Sequence, residues 1–206
     1  MSIDTHKSQL GQPTWEIATL FPNQGDWSEH EYLHLNTSRL IEFVDGTLEV
    51  LPMPTELHQF IAAFLFEHLQ SHVRNLQLGV VLFAPLKIQV RAGKFREPDV
   101  LFMLTEHRPR RTEKFWMGAD LVMEVVSEDD PHRDLVTKRE EYAQAGITEY
   151  WIIDPRDRTI TVLHLEASCT VYAELGRFSD GQIANSALLE GFRLDVSEVF
   201  NRPEAV

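Results

Sequence analysis

The longest regular pattern of apolar and polar positions lies between residues 56 and 76. Apolar side chains recur there every three or four residues, which is the spacing of one face of a helix. The pattern predicts a helix with an apolar face formed by Leu57, Phe60, Ile61, Phe64, Leu65, Leu69, Val73 and Leu76. A second helix is predicted from about Pro131 to Ala145. Proline is favourable in the first turn of a helix, and Gly146 suits the position after the last residue.

Short apolar runs outside these helices predict β-strands. The runs cover residues 79–84, 86–90, 98–104, 120–126 and 150–154. Asp45-Gly46 predicts a hairpin between strands at 40–44 and 47–51. On the C-terminal side, a second hairpin is predicted from strands at 159–166 and 169–175, with a short strand near Leu188. The order of helices and strands predicts an α/β fold, and the link from 120–126 through the second helix to 150–154 predicts a right-handed parallel crossover.

The length of 206 residues suits a single domain over residues 1–206, with residues 1–14 as a flexible arm. No apolar run is long enough to cross a bilayer, and the first residues lack the apolar stretch of a signal peptide. We therefore expect no membrane contact and a cytoplasmic location. Cys169 is the only cysteine, which excludes an intrachain disulfide. Its position in a predicted strand favours a buried thiol.

The charge balance bears on the choice of partner. The chain has 32 acidic and 19 basic residues other than histidine, for a net charge of −13. Non-specific binding to nucleic acid requires basic surface, so this balance disfavours strong binding of that kind. A divalent cation held by carboxylates would offset the repulsion locally.

Two carboxylates interrupt the predicted strands. Glu124 lies inside the apolar run DLVMEVVS, and Asp99 stands at the entrance of the run VLFML. A bare buried carboxylate is costly, so Glu124 should be protonated, ion-paired or bound to a metal. If the two strands are neighbours, Asp99 and Glu124 could share one hard cation. The structural alternatives are a core ion pair for Glu124 and a turn position for Asp99, which follows Pro98.

Lys138 is the third candidate. Leu135, Tyr142 and Ala143 mark the buried face of the second predicted helix, and Lys138 lies on or beside that face. It could reach the carboxylate pair and there stabilise charge on a phosphate. Alternatively, its side chain could extend outward along the surface to solvent.

These motifs together resemble those of the Uma-two family, which belongs to the PD-(D/E)xK nuclease superfamily. The motifs are IEFVDGTLEVLPMPTELH, EPDV, DLVMEVVS and K-x3-Y-x3-G-I-x2-Y-W-I-I-D-P, within a core of about residues 40–165. The resemblance implies a restriction-endonuclease-like mixed central sheet flanked by helices, with extra β-hairpins on the N- and C-terminal sides.

The resemblance also implies roles for single residues. Asp99, Glu124 and the carbonyl of Val125 would bind Mg2+ or Mn2+. The superfamily lysine would fall at position 126, which is a valine here, and Lys138 would replace it. The upstream matches are Glu42, which could add a carboxylate to the cation or bind a water, and His58, which could contact a phosphate or serve packing. Glu97 is either a surface residue or an outer ligand that contacts substrate.

The sequence thus supports several hypotheses. The first is a divalent-metal-dependent endonuclease that hydrolyses phosphodiester bonds in DNA, with weak, metal-dependent DNA binding. The alternative is a non-catalytic binding or regulatory module that retains the nuclease fold, and a hydrolase of small phosphoesters is the third. A homodimer is expected, because enzymes that cut both strands often need two sites. Aromatic residues of the C-terminal part would supply its apolar surface: Trp151, Tyr172, Phe178, Phe192 and Phe200.

Overall fold

The computed structural model describes residues 20–201, and the predicted arm at 1–14 lies outside them. The helices are α1 (Glu29–His34), α2 (Glu56–Leu76), α3 (Lys138–Gln144) and α4 (Val196–Phe200). A 3-10 turn covers Thr105–Arg110, and a π-helical turn, Arg133–Thr137, leads directly into α3. The first seven strands are β1 (Ile41–Val44), β2 (Thr47–Val50), β3 (Gly79–Phe83), β4 (Lys87–Arg91), β5 (Lys94–Arg96), β6 (Val100–Leu104) and β7 (Phe115–Met117). The remaining strands are β8 (Leu121–Val125), β9 (Glu149–Asp154), β10 (Thr159–His164), β11 (Ala173–Phe178), β12 (Ile183–Asn185) and β13 (Arg193–Asp195).

The central sheet has six strands in the order β11-β10-β9-β8-β6-β3. Strands β8 and β9 run parallel, and the other neighbours in this sheet are antiparallel. A second sheet has the order β2-β1-β5-β4-β7, and β12 pairs with β13. The predictions of a mixed central sheet and of a parallel link between β8 and β9 are confirmed.

The core lies on both faces of the six-stranded sheet. On one face, α2 buries the side chains of Ile61, Leu65, Leu69 and Val73 against the odd-numbered positions of β8. On the other face, Tyr142 and Ala143 of α3 pack together with residues of the second sheet. Glu124 lies in a strand that is buried on both sides, so its environment is apolar apart from the groups described below.

The first hairpin contains the predicted turn, because Asp45 and Gly46 both have positive φ angles, of 46° and 84°. The sheet that this hairpin joins was not predicted from the sequence. Strands β5 and β7 are only three residues long and carry no alternating pattern, and β5 pairs with β1, which is far away in sequence, as well as with its neighbour β4.

Several expectations for the C-terminal part are wrong. The aromatic residues expected to offer apolar surface for a dimer are buried inside the chain, apart from the partly buried Phe178: Trp151, Tyr172, Phe192 and Phe200. Cys169 lies in an exposed turn rather than in a strand, so it is not a buried thiol. The strand predicted from residue 169 begins instead at Ala173. Leu188 lies between β12 and β13 rather than in a strand.

Among residues 20–201, no helix is both long enough and apolar enough to span a bilayer.

Candidate active site

A cavity of about 370 Å3 opens where β8 ends, beside the start of α2 and the π-helical turn. All of the candidates from the sequence except Glu42 line it together with one arginine: His58, Glu97, Asp99, Glu124, Val125, Arg133 and Lys138. Three separate parts of the chain therefore meet at the carboxyl end of β8.

Asp99 and Glu124 face the same side of the central sheet. In the antiparallel pair of β6 and β8, Val100 stands opposite Met123. One step further in the same register, Asp99 stands opposite Glu124, where Cβ atoms are typically about 4.5–5.5 Å apart. The backbone N–H of Val125 donates a 2.8 Å hydrogen bond to Oδ2 of Asp99, which fixes the aspartate against β8.

Glu124 is only 2% exposed, and one of its two carboxylate oxygens makes two close contacts. Its Oε1 lies 2.9 Å from Nζ of Lys138 and accepts a 2.6 Å hydrogen bond from the Tyr142 hydroxyl. Burial raises the pKa of Glu124, the Lys138 charge lowers it and the Asp99 charge raises it, and the net result is a pKa of about 8. Without a metal, the glutamate thus holds a proton more readily than an exposed glutamate does.

Lys138 is the first residue of α3 and is only 4% exposed, so the alternative in which it extends to solvent is wrong. Its Nζ lies 2.9 Å from both Glu124 and Asp134 and 4.0 Å from Oε1 of Glu42. Burial lowers the pKa of the ammonium group, but Asp134, Glu124 and Glu42 outweigh it and raise the pKa above the ordinary lysine value. Lys138 is therefore a protonated, fixed cation at the cavity wall.

Asp134 is the clearest residue that the sequence analysis missed. It is buried, its Oδ1 pairs with Lys138, and its backbone carbonyl accepts a hydrogen bond from Tyr150. The available signal was its position four residues before Lys138, which brings oppositely charged side chains together on a helix. The neighbouring charges of DDPHRD concealed that signal, because such runs are usually solvated surface.

Glu42 belongs to a network of buried charge next to the cavity. Its Oε2 accepts hydrogen bonds from Arg96 and Arg133, and its Oε1 accepts one of 3.0 Å from the backbone N–H of Glu97. Burial by itself would raise the pKa of Glu42, but Lys138, Arg96 and Arg133 bring it to about 2. Because both oxygens already have strong partners, the contacts of Glu42 are those of a support for the site.

His58 contacts Asp99 from the first turn of α2. Its Nε2 lies 3.2 Å from Oδ2 of Asp99, and its buried Nδ1 has no hydrogen-bond partner among residues 20–201. Burial lowers the pKa of His58, but the hydrogen bond and charge of Asp99 raise it above the usual value. The ring therefore holds one oxygen of Asp99 in place.

Of the two alternatives for Glu97, a surface position is wrong, because the residue is buried. Its Oε1 lies 3.0 Å from Nζ of Lys87, and its Oε2 accepts a 3.1 Å hydrogen bond from the backbone N–H of Ile41. Burial raises its pKa, and the Lys87 charge opposes this. Although Glu97 touches the cavity, both of its oxygens serve contacts within the chain.

The donor set was tested against a divalent cation. Within residues 20–201, no three His, Cys, Asp or Glu side chains group in a way that would hold a metal by themselves. Mg2+, however, commonly uses one or two carboxylates and completes its shell with waters and substrate phosphates. The contacts found for Asp99 use Oδ2 and those found for Glu124 use Oε1, so each carboxylate keeps a second oxygen. Asp99, Glu124 and the Val125 carbonyl thus fit such an ion.

The fold was compared with solved structures. A similar chain comes from Anabaena variabilis and is described as "a putative nuclease belonging to DUF820". The TM-score is 0.68 at 19% sequence identity, and the match covers 83% of this chain and 96% of that one. The fold is therefore that of a nuclease-like α/β protein.

The family is defined by sequence. The family model Uma2, described as "Putative restriction endonuclease", matches residues 27–197. The chain belongs to this family, the Uma-two family that its motifs resemble. No curated protein matches the chain.

Proposed function

We propose that the chain is a divalent-cation-dependent endonuclease that hydrolyses phosphodiester bonds in DNA. One observation carries the proposal: Asp99 accepts a hydrogen bond from the Val125 N–H directly beside Glu124, and Nζ of Lys138 lies 2.9 Å from Glu124 at the wall of the cavity. Membership of a family described as restriction endonucleases and a nuclease-like fold support it.

Each residue of the cavity would have a distinct task. Asp99, Glu124 and the Val125 carbonyl would hold Mg2+ or Mn2+, and the bound cation would supply Lewis-acid stabilisation of charge on the scissile phosphate. Lys138 would orient a water or donate to a phosphate oxygen from a fixed position. His58 would keep Asp99 in its orientation.

The alternative is a non-catalytic module that binds a partner. The buried ion pairs favour this alternative in one respect. Lys138 already pairs with both Glu124 and Asp134, so the three side chains form a complete group without a metal or a substrate. Such a group could persist for folding alone. The net charge of −13 also opposes contact with DNA.

The test is nicking of supercoiled plasmid by the purified chain in Mg2+, Mn2+ and chelator. We expect nicking only with a metal, and we expect Asp99→Asn and Glu124→Gln to lose both nicking and Mn2+ affinity. Asp120→Asn is the matched control, because Asp120 is a buried carboxylate at the other end of the same strand, where it pairs with Arg110. Anomalous scattering from a manganese-soaked crystal would locate the ion independently.

Two outcomes would contradict the proposal. If no metal supports nicking of any DNA, the non-catalytic alternative gains. If nicking survives both Asp99→Asn and Glu124→Gln, the activity lies elsewhere in the chain or in a contaminant.

A further inference from the structure

The mouth of the cavity is built from two chemically different segments. One is the apolar rim, Val50–Pro54, which begins at the last residue of β2 and in which Val50 is 58% and Met53 70% exposed. The other is the acidic rim, Glu128–Asp130, which follows β8 and exposes all three of its carboxylates. Both rims line the cavity that the substrate would occupy.

We expect the acidic rim to repel duplex DNA more strongly than a single strand. B-DNA carries about one negative charge per 1.7 Å of axis and binds through cationic surface. The cavity offers few cations for this purpose: among the described residues that line it, only Arg133 and Lys138 are basic apart from His58. A single strand has a lower charge density and is repelled less by Glu128, Asp129 and Asp130.

The depth of the site points in the same direction. Glu124 and Lys138 are almost completely buried, and the cavity of about 370 Å3 is in the size range of a small-molecule pocket. A phosphate within a continuous duplex is held on a wide, stiff cylinder, so we expect it to reach the base of such a cavity less readily. A phosphate on a flexible strand can be brought in together with its own nucleotide.

The apolar rim can contact the faces of bases, which a single strand exposes and a duplex covers. Unpaired bases expose their faces and gain free energy from apolar or aromatic contacts. The exposed thioether of Met53 is flexible and favourable next to aromatic rings. A base stacked against Val50 and Met53 would also remove exposed apolar surface of these side chains from water.

We propose that this cavity accepts a single-stranded segment of DNA, with a base against the apolar rim and its phosphate directed toward Arg133 and Lys138. The inference rests on the proposed function for the nature of the polymer. It goes beyond that function in assigning the strand state of the substrate and the residues that select it.

Binding can be tested separately from cleavage. A fluorescein-labelled 20-nucleotide strand of mixed sequence and the same strand in a blunt duplex would be titrated with the full chain in Ca2+ and in chelator, with fluorescence anisotropy as the signal. We expect the single strand to bind at least about tenfold more tightly than the duplex in Ca2+, a difference of about 1.4 kcal/mol. Gel analysis of the same DNAs in Mn2+ would report cleavage.

Variants of the two rims assign the selectivity. Met53→Ser should weaken single-strand binding about fivefold, in the range for loss of one base contact, and leave duplex binding unchanged. Glu128→Gln, Asp129→Asn and Asp130→Asn combined should strengthen duplex binding more than single-strand binding. Val171→Ser, a change at a residue 73% exposed and outside the residues that line this cavity, is the matched apolar control. Glu174→Gln, also exposed and outside the lining, is the acidic control.

The outcomes separate this inference from the proposed function. Duplex binding as tight as single-strand binding, or no binding to either DNA, would overturn the inference. An unchanged preference in both rim variants would also overturn it. If single strands bind selectively but nothing is cleaved in any metal, the proposed catalysis fails while the selectivity for single strands stands.

Discussion

Nζ of Lys138 lies 2.9 Å from Oδ1 of Asp134, one turn earlier in the chain. The π-helical turn Arg133–Thr137 lies between the end of β8 and α3, and such turns are frequent at functional sites. Asp134 is itself held by the Tyr150 hydroxyl, which donates to its backbone carbonyl. The lysine is thus positioned by its own helix as well as by Glu124.

The first prediction concerns Asp134. Asp134→Asn removes one of the two close carboxylates at Lys138 while keeping side-chain size, so the ammonium group should become less well positioned. We expect kcat for plasmid nicking to fall about tenfold, the effect of weakening one electrostatic contact, with little change in Mn2+ affinity. In protein labelled with 13C at lysine Cε, the Lys138 signal should shift.

A second variant distinguishes a role of Asp134 in positioning Lys138 from a role in folding. Asp134→Glu should restore part of the activity, because a carboxylate returns to the same turn. If Asp134→Asn nicks at the wild-type rate and the Lys138 signal is unmoved, Asp134 has no positioning role.

The second prediction concerns Lys138 itself. Lys138→Met keeps the aliphatic stem but leaves Glu124 and Asp134 buried without their cation. Loss of one partner of a buried ion pair typically costs about 3–5 kcal/mol, so we expect a lower melting temperature. Nicking should fall about 100-fold, as for loss of one transition-state stabiliser. Manganese binding should persist through Asp99 and Glu124.

Two further variants serve as controls for Lys138→Met. Adding Glu124→Gln to Lys138→Met removes one of the unpaired carboxylates, so the double variant should melt higher than Lys138→Met alone. Lys114→Met, at an exposed lysine, should change neither stability nor nicking. Wild-type nicking by Lys138→Met would show that the lysine serves the fold alone.

The positions of Asp99 and Glu124 beside the cavity were predictable because they depend on one strand and its partner. Glu124 is recognisable as a charged residue within an apolar run, and Asp99 as a polar residue directly before the apolar run of the neighbouring strand. Alternation along each strand cannot by itself show that the two face the same side. That depends on the register of β6 and β8, which pairs Val100 with Met123 and arises only from tertiary packing.

The support for the site was not predictable in the same way. Arg96 reaches Glu42, Glu49 and Glu141, which lie 45 to 54 residues away in sequence. Hydrophobic periodicity contains no information about such contacts. Lys138 illustrates the same limit, because its position on the helix fitted both a side chain extended to solvent and a buried one. It is buried because carboxylates surround its ammonium group.

The third prediction is a dependence of stability on pH through Glu42. Its pKa is about 2 in the folded chain and 4.5 in its ordinary state. A lowered pKa stabilises the fold above about pH 4.5, and this contribution is lost as the pH falls toward 2. We expect Glu42→Gln to destabilise the chain by about 3 kcal/mol at pH 7 and by much less near pH 2.5. Urea unfolding at several pH values measures the difference, and an equal loss at both pH values would contradict it.

The fourth prediction is a homodimer, which rests on symmetric pairs being the commonest oligomers of soluble proteins. The buried aromatics no longer support it. Light scattering at micromolar concentration should give twice the mass of 23.8 kDa. A monomeric mass, combined with nicking of only one strand, would argue against it and would agree with a single-strand substrate.

The last prediction concerns the salt dependence of DNA binding. Binding should be weak and should require a divalent cation, because the net charge of −13 repels phosphate and Arg133 and Lys138 are the main cations of the cavity. With about two phosphate contacts, the logarithm of the association constant should fall with the logarithm of salt at a slope of about −1.4 for a single strand. Anisotropy titrations between 50 and about 200 mM salt measure this slope. Arg133→Gln should weaken binding and make the slope shallower by about 0.7, whereas Arg158→Gln, outside the cavity lining, should leave both unchanged. A slope steeper than about −4, or tight binding in chelator, would reveal a basic surface elsewhere on the chain and would place the DNA outside this cavity.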